Sequence, residues 1–361
     1  MNTLNQASRE WSVRPNDQRF LTLEDLHRSV LARKRESWTA APACTELRVL
    51  PTEDGGIGVE VLDPTHGDRR MLSPTNWSFN QLAQFAEAPA SYLRKLPPDL
   101  ASINLQYGLE HGAKQNPLVL AQSNGNNTLR AMTSTSYGRI WDHQVVESVQ
   151  KVNSDGRWVI PSASYSTTNP LRATTLYASD RDVFIFLVDP KNPIEVGKEQ
   201  LFRGFFAWNS EVGAAVFGLT TFLYRYVCDN RIVWGATDVK ELRIRHTGGA
   251  PERFAYEGAK YLKRYAEEAS APIIEQIQSA QNKEVKTLLK KDQKMEDWLA
   301  DRGFTKAQAK ASIETAQAEE GQARSVWDII QGVTAYARSI PNTDTRVELE
   351  TRAGKLMQLA V

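Results

Sequence analysis

The most apolar stretch of the chain runs from residue 204 to 230, GFFAWNSEVGAAVFGLTTFLYRYVCDN. A membrane helix needs about 18 or more apolar residues without charge, and Glu211 and Arg225 interrupt this stretch. The stretch therefore predicts a segment buried in a globular core. The polar triplet Asn209, Ser210 and Glu211 must then either be hydrogen-bonded inside that core or face a ligand or partner.

Composition fits an ordinary globular protein. Of the 361 residues, 41% are apolar and 24% are charged, close to the average of soluble domains. The only cysteines, Cys44 and Cys228, are fewer than a secreted chain of this size usually carries, and the N-terminus shows no signal-peptide pattern, so we expect a cytoplasmic protein. The net charge of +1 is too small for binding nucleic acid by overall charge, so any such role needs a local basic patch or aromatic stacking.

Pattern divides the chain into three parts. Residues 1–45 form a preamble with a helix capped by Thr22, residues 46–250 form an α+β core domain, and residues 251–361 form a helical C-terminal region rich in Ala, Glu, Lys and Gln. The predicted fold class is α+β. A mixed or mostly antiparallel sheet should span residues 115–250, flanked by helices from the first hundred residues.

Local signals predict individual elements. Asp54-Gly55-Gly56 indicates a hairpin turn, and Ser78 is a candidate N-cap of a helix. Strands are predicted over 128–135, 157–166 and 174–189, the last with a turn at 179–182, and a helix over 142–152.

The apolar stretch itself is ambiguous, because a run of this length fits a strand or a buried helix. We predict a strand to Trp208 and a helix over Glu211–Tyr226. Asn209 or Ser210 would be its N-cap, and Glu211 would lie in its first turn. Cys228 is predicted to be a small buried apolar residue.

Motifs for catalysis are missing from the sequence. The histidines and cysteines lack zinc-ligand spacing, and no phosphate loop or nucleophile elbow occurs. We therefore predict a non-catalytic protein without metal or cofactor. Asp180, Asp182 and Asp189 are the acids that a metal-dependent nuclease would use, although turn chemistry also explains the first two.

Two basic groups suit phosphate binding. Strand alternation puts Arg243 and Arg245 side by side on one face, as an anion clamp, the alternative being a solvated face balanced by Glu241. Arg225 would either cap the predicted helix or join these arginines at a shared groove. Arg130 and Arg139, in a segment with Tyr137 and Trp141, would face a nucleic-acid backbone, the alternative being a tight loop over a sheet.

A third basic group lies on a predicted helix. Lys260, Lys263 and Arg264 alternate with three tyrosines, Tyr256, Tyr261 and Tyr265. Basic residues interleaved with aromatics suit single-stranded nucleic acid. The alternative is a helix whose tyrosines pack inward.

Four segments of the sequence carry a family resemblance. They are FAEAPASYLRKLPPDLASINLQYGL, LRAMTSTSYGRIWDHQVVESV, GFFAWNSEVGAAVFGLTTFLYRYVCDNRIV and ELRIRHTG, in this order. Together they resemble the DUF932 family, phage- and plasmid-like proteins of mobile elements. The most specific parts are Asn209–Gly213 with Arg225–Cys228, followed by Arg245-His246. The resemblance implies a mobile element in a bacterial host and DNA transactions as context, and it implies no reaction.

Three functional hypotheses follow. The first is a protein that binds single-stranded DNA, anneals strands and forms a homo-oligomer. Its contacts would come from the basic groups above and His246, with the triplet 209–211 as a structural or site element. The second is an interaction protein that inhibits a host defence or replication factor. The third is a metal-dependent nuclease. No membrane partner is expected.

Overall fold

The structure, a computed structural model, describes residues 14–112, 115–161, 174–197, 199–225, 241–267, 271–340, 349 and 352–359. Its helices are α1 (Leu23–Arg35), α2 (Asn76–Phe85), α3 (Ala90–Leu93), α4 (Pro98–His111), α5 (Asp142–Val152), α6 (Ala250–Glu267), α7 (Ala271–Asn282), α8 (Met295–Ala300), α9 (Lys306–Glu320) and α10 (Val326–Arg338). Short 3-10 helices occupy Asn16–Gln18, Cys44–Glu46, Val285–Leu288 and Met357–Leu359. Within these ranges no helix is long and apolar enough to cross a membrane.

A first sheet is built from strands in the first 134 residues. It contains β2 (Ser37–Ala40), β3 (Arg48–Pro51), β4 (Ile57–Leu62), β5 (Arg69–Pro74), β6 (Pro117–Gln122) and β7 (Thr128–Ser134). The strand order is β2-β6-β7-β5-β4-β3, and only the β5–β7 pair is parallel among these strands. The predicted hairpin is confirmed as β3–β4, where Gly55 adopts a φ of 79° that suits glycine.

One face of the first sheet is covered by α2 and α4. Leu82 and Leu105 pack there against Leu129 of β7. The predicted N-cap of α2 is wrong by three residues, because the Thr75 side chain accepts the backbone N–H of Ser78. The Ser78 hydroxyl instead donates to the Leu129 carbonyl at 2.6 Å.

A second sheet follows along the chain. It contains β1 (Arg19–Phe20), β8 (Leu176–Ala178), β9 (Val183–Val196), β10 (Glu199–Asn209), β11 (Phe217–Arg225) and β12 (Glu241–Ile244). The strands lie in this order, and each described neighbour pair is antiparallel. On one face, α1, α5 and α6 contribute Leu26, Val146 and Phe254 to the core. The α+β prediction is confirmed, with two sheets in place of one.

The predicted helix over Glu211–Tyr226 is wrong. Residues 211–216 form a turn, in which Gly213 has a φ of 86°, and residues 217–225 pair with β10 as a strand. A residue in the left-handed backbone conformation at position 213 would end a helix that began at residue 211 within its first turn. The aromatic and β-branched residues after it then favour a strand. Cys228 lies outside the described residues.

The strand predicted over 157–166 is only partly described. Among residues 157–161, Val159 forms an isolated bridge with Val188 and no longer strand. The helix predicted over 142–152 and the turn at 179–182 are confirmed. Thr22 is confirmed as the N-cap of α1, since its side chain accepts the backbone N–H of Asp25.

The C-terminal helices α7 to α10 form a core of their own around Trp298 and Ile330. The far end of the β9–β10 hairpin reaches into it with Ile194 and Leu201. Helix α6, in contrast, packs on the second sheet. The domain limits at residues 45 and 250 stay a prediction.

Candidate functional site

A largely buried network of five charged side chains joins the two sheets. We call Arg33, Arg130, Arg139, Asp142 and Glu211 the charge network. Its members come from the last turn of α1, from β7, from the loop after β7, from the start of α5 and from the turn after β10. The Asp142 and Glu211 side chains are 1% exposed and that of Arg130 is 2% exposed. Charges so deeply buried are tolerated only when paired.

Arg130 reaches the network because of a β-bulge. Leu120 pairs with Ala131 and Ala121 pairs with Leu129, so Arg130 is the extra residue of β7. A bulge re-aims the side chain of the extra residue. The expectation that Arg130 and Arg139 face a nucleic-acid backbone is not met in this structure, because both side chains are buried against Glu211.

Glu211 is the centre of the charge network. Its Oε1 atom lies 2.6 Å from an Arg130 guanidinium nitrogen and 3.3 Å from Arg33 Nε. Its Oε2 atom accepts the backbone N–H of Asp142 at 3.0 Å. Arg139 donates to its backbone carbonyl. The residue therefore holds three cations and the start of α5 in place.

Asp142 completes the network from the other side. One carboxylate oxygen lies 2.7 Å from Arg33, and the other accepts the Asn209 amide at 2.8 Å. The same Asn209 nitrogen donates to the Ile140 carbonyl at 2.8 Å. Asn209 thus fixes the loop before α5 and caps no helix.

The pKa values of the two buried acids shift in opposite directions. It raises the pKa of Asp142 well above its ordinary value, and the negative charge of Glu211 raises it further. Burial alone would also raise the pKa of Glu211, but Arg130 and Arg33 outweigh it and lower that pKa. Glu211 is therefore the anion that pairs with Arg130 and Arg33.

Ser210 stabilises the turn that replaces the predicted helix. Its hydroxyl accepts the backbone N–H of Ala214 at 2.8 Å and donates to the Arg181 carbonyl at 2.5 Å. Its backbone carbonyl accepts the Tyr137 hydroxyl at 2.9 Å. The N-cap interpretation of the triplet is wrong, and its polar groups serve a buried turn at the junction of the sheets.

Tyr137 and His246 form a stacked pair beside this turn. The ring centroids are 4.9 Å apart and the ring planes differ by 18°. His246 Nδ1 lies 3.1 Å from the Gly138 carbonyl. Burial lowers the pKa of His246, and the nearby Arg139 guanidinium lowers it further, against the opposing effect of the Gly138 contact.

We expect acid to destabilise the protein through His246. Because its folded-state pKa is lowered, the native state binds fewer protons than the unfolded state below about pH 6.5, so stability falls as pH falls through that value. The contribution is at most about 1.4 kcal/mol for each pH unit. Urea unfolding at several pH values would compare wild type with His246→Gln, whose stability should fall less in acid. If the free energies of unfolding of wild type and the variant fell equally with pH, this expectation would be contradicted.

The outward face of α6 carries the exposed basic residues. Phe254, Leu262 and Tyr265 are buried on its inner face. Tyr265 therefore packs inward, as the alternative interpretation of this helix expected. Tyr256 points outward and is 70% exposed. We call Arg253, Tyr256, Lys260, Lys263 and Arg264 the α6 stripe, since spacings of three and four residues put them on one side of the helix.

Arg243 and Arg245 lie exposed at the last strand of the second sheet, while Ile244 between them is buried. The predicted alternation is therefore seen at this edge. Arg225 ends β11, and its side chain is not among those described. His246 is half-buried against Tyr137 and does not share the open surface of the two arginines.

Two of the three acids suggested for a nuclease, Asp182 and Asp189, are held by other groups. Asp182 accepts the Ser179 hydroxyl and pairs with Arg14 at 2.7 Å. Asp189 is fully buried beside Arg157 and Asn192, where β9 bulges. They form no metal-binding cluster with Asp180 within the described ranges.

Asp63, His66 and Asp68 do approach one another closely enough to share a cation. Arg70 Nε, however, lies 2.9 Å from the Asp63 oxygen that contacts His66. A guanidinium in that position supplies the positive charge that a metal would bring. This cluster is therefore a turn stabilised by an ion pair.

Sequence reasoning missed Arg33 and Asp142 as site residues. Arg33 stands in a basic last turn, which the helix dipole explains, and Asp142 stands at a helix start, which capping explains. Neither position carries a local signal of burial. Only the approach of segments more than a hundred residues apart brings Arg33 and Asp142 together.

Among known proteins, the chain is similar to one sequence family. Residues 132–356 match the profile described as Domain of unknown function (DUF932). No curated protein and no solved structure matches the chain. The matched range includes the triplet 209–211, Tyr137, His246 and the α6 stripe.

Proposed function

The chain belongs to the DUF932 family, and we propose that it is a non-catalytic protein that binds single-stranded DNA along the α6 stripe. The observation that carries the proposal is the exposed tyrosine among cations on one helix face. Tyr256 is 70% exposed, and Lys260 Nζ lies 5.0 Å from its ring centroid. An exposed ring can stack a base while neighbouring cations hold phosphates.

The α6 stripe is long enough to follow a strand over several phosphates. Arg253 and Arg264 are eleven residues apart, or about 16 Å along a helix. Lys263 is 72% exposed, and its contact with Glu267 is a weak 3.9 Å ion pair. Arg243 and Arg245 extend the basic surface at the sheet edge before α6. The buried Arg130 and Arg139 are not part of the proposed surface.

Replacing three stripe cations should weaken DNA binding and its salt dependence. For Lys260→Ala/Lys263→Ala/Arg264→Ala, the slope of log K against log salt should fall by about 2, since each single-strand phosphate contact contributes about 0.7. Wild type should therefore lose roughly 15- to 20-fold more affinity than the variant between about 50 and 200 mM salt. Fluorescence anisotropy with a labelled oligonucleotide measures both.

The matched control removes the same charge elsewhere. Lys290, Lys291 and Lys294 are exposed before α8, and their triple alanine variant should keep the wild-type slope. The Arg243→Ala/Arg245→Ala variant tests the sheet edge in the same assay. Absence of single-strand binding by wild type at micromolar protein, or equal slopes for all variants, would overturn the proposal.

Strand annealing by a homo-oligomer in a phage or plasmid context is the use that we propose for this binding. Inhibition of a host protein is the second candidate. The observation that favours a protein contact is an apolar stripe on α4, where Leu100, Ile103 and Tyr107 are 50%, 63% and 64% exposed. Exposed apolar groups in one patch are typical of protein interfaces.

A further inference from the structure

A groove of about 380 Å³ opens between the two sheets beside Tyr137. Its lining includes Gln84 and Phe85 at the end of α2, Glu87 just after that helix, Gln115 before β6, Tyr137 after β7 and Gly213 in the turn after β10. The volume lies in the range of small-ligand sites. None of the functional hypotheses above uses it.

The turn after β10, residues 211–216, holds one wall of the groove in place. The Val212 carbonyl accepts Trp77 Nε1 at 3.0 Å and Gln81 Nε2 at 2.8 Å. Gln81 in turn accepts the backbone N–H of Met132 at 3.0 Å. Gly213 then lines the groove with a φ of 86°. A preformed wall of this kind lowers the entropy cost of binding a ligand.

Two lining amides have no partner of their own. Gln84 and Gln115 are exposed, and neither side chain is hydrogen-bonded within the described ranges. A primary amide offers two donors and an acceptor, and glutamine pairs with the edge of adenine in this way. Phe85 supplies apolar surface for a flat ring. The groove therefore offers hydrogen bonds and apolar contact to one planar polar group.

Charge argues against a phosphate in the groove. Glu87 is the charged member of the described lining, which holds no lysine or arginine. This described lining offers no cation to pair with a phosphate, whereas a base is neutral and needs none. The ligand that fits is the base and not the backbone of a nucleotide.

The loop that carries Tyr137, at the rim of the groove, packs against the start of α6. A Cβ added at Gly138 would lie 1.8 Å from the Thr247 carbonyl and 3.1 Å from Pro251, so the loop that carries Tyr137 touches the first turn of α6. A strand that continued from the stripe past the start of α6 would therefore approach the Tyr137 rim of the groove.

We infer that the groove receives one unstacked base of the bound single strand, with Gln84 and Gln115 contacting its hydrogen-bonding edge. This rests on the proposed function, since the strand is held by the α6 stripe. Extruded bases are read elsewhere by edge hydrogen bonds and apolar stacking. The two amides act as specificity residues, and phosphate contacts remain with the stripe.

The test compares a labelled oligonucleotide with one of equal length that carries abasic sites. Wild type should bind the base-containing strand about tenfold more tightly. In Gln84→Ala/Gln115→Ala this ratio should fall severalfold, with an unchanged salt slope. Because both amides are exposed and unbonded, the variant should fold as wild type does, which circular dichroism checks. Gln278→Ala, an exposed amide on α7, is the matched control.

The outcomes separate the two proposals. An unchanged ratio in the double glutamine variant would overturn the groove assignment while leaving the stripe intact. If wild type shows no salt-dependent binding to either oligonucleotide, the proposed function itself is overturned. A Tyr256→Ala variant shows how much of the ratio comes from stacking on α6.

Discussion

Glu211→Ala should lower the free energy of unfolding by about 3–5 kcal/mol, the cost of removing one partner from a buried ion pair. The substitution leaves Arg33 and Arg130 without the carboxylate that lies 3.3 and 2.6 Å from them. It also removes the acceptor of the Asp142 backbone N–H. Equilibrium unfolding in urea measures the loss.

Two comparisons isolate the burial of the charge. Glu257→Ala removes a half-buried carboxylate that pairs with Arg253 on α6 and should cost less than about 1 kcal/mol. Glu211→Leu combined with Arg130→Met should be more stable than Glu211→Ala, because apolar side chains can replace a buried ion pair. A loss below about 1 kcal/mol for Glu211→Ala would show that the arginines do not depend on this carboxylate.

Local signals predicted the elements that local physics determines. Thr22 caps its helix because a hydroxyl in the right place satisfies a free backbone N–H. Gly55 marks its turn because few other residues adopt its φ. The strand β11 was missed because an apolar run fits a strand or a buried helix. The residues around Gly213 also do not indicate its left-handed conformation.

The charge network could not be predicted from local pattern. Arg130 looks like any strand arginine, and only the bulge that turns it toward Glu211 explains its burial. The two faces of α6, by contrast, were predictable. Helical spacing separates Phe254, Leu262 and Tyr265 from Tyr256 and Lys260. A period count would have assigned the tyrosines to opposite faces.

Gly138→Ala should destabilise the protein by about 3 kcal/mol, the upper part of the usual range for overpacking. The added Cβ would lie 1.8 Å from the Thr247 carbonyl oxygen and 2.7 Å from its carbon. Both atoms belong to the backbone between β12 and α6, so no side chain can rotate away. The loop must shift, and it carries Tyr137, stacked on His246, and Arg139.

The neighbouring turn supplies the control for this substitution. Gly248 has no atom within 4 Å of an added Cβ, so Gly248→Ala should change stability by less than about 0.5 kcal/mol. Urea unfolding of the two variants compares the same chemical change in two neighbouring segments. Equal stabilities would show that the loop does not rest against the backbone between β12 and α6 as described. If Gly138→Ala is destabilised and still folded, the displaced Tyr137 rim should also lower the preference for base-containing over abasic strands. This result would link the junction of the sheets to the groove that it forms.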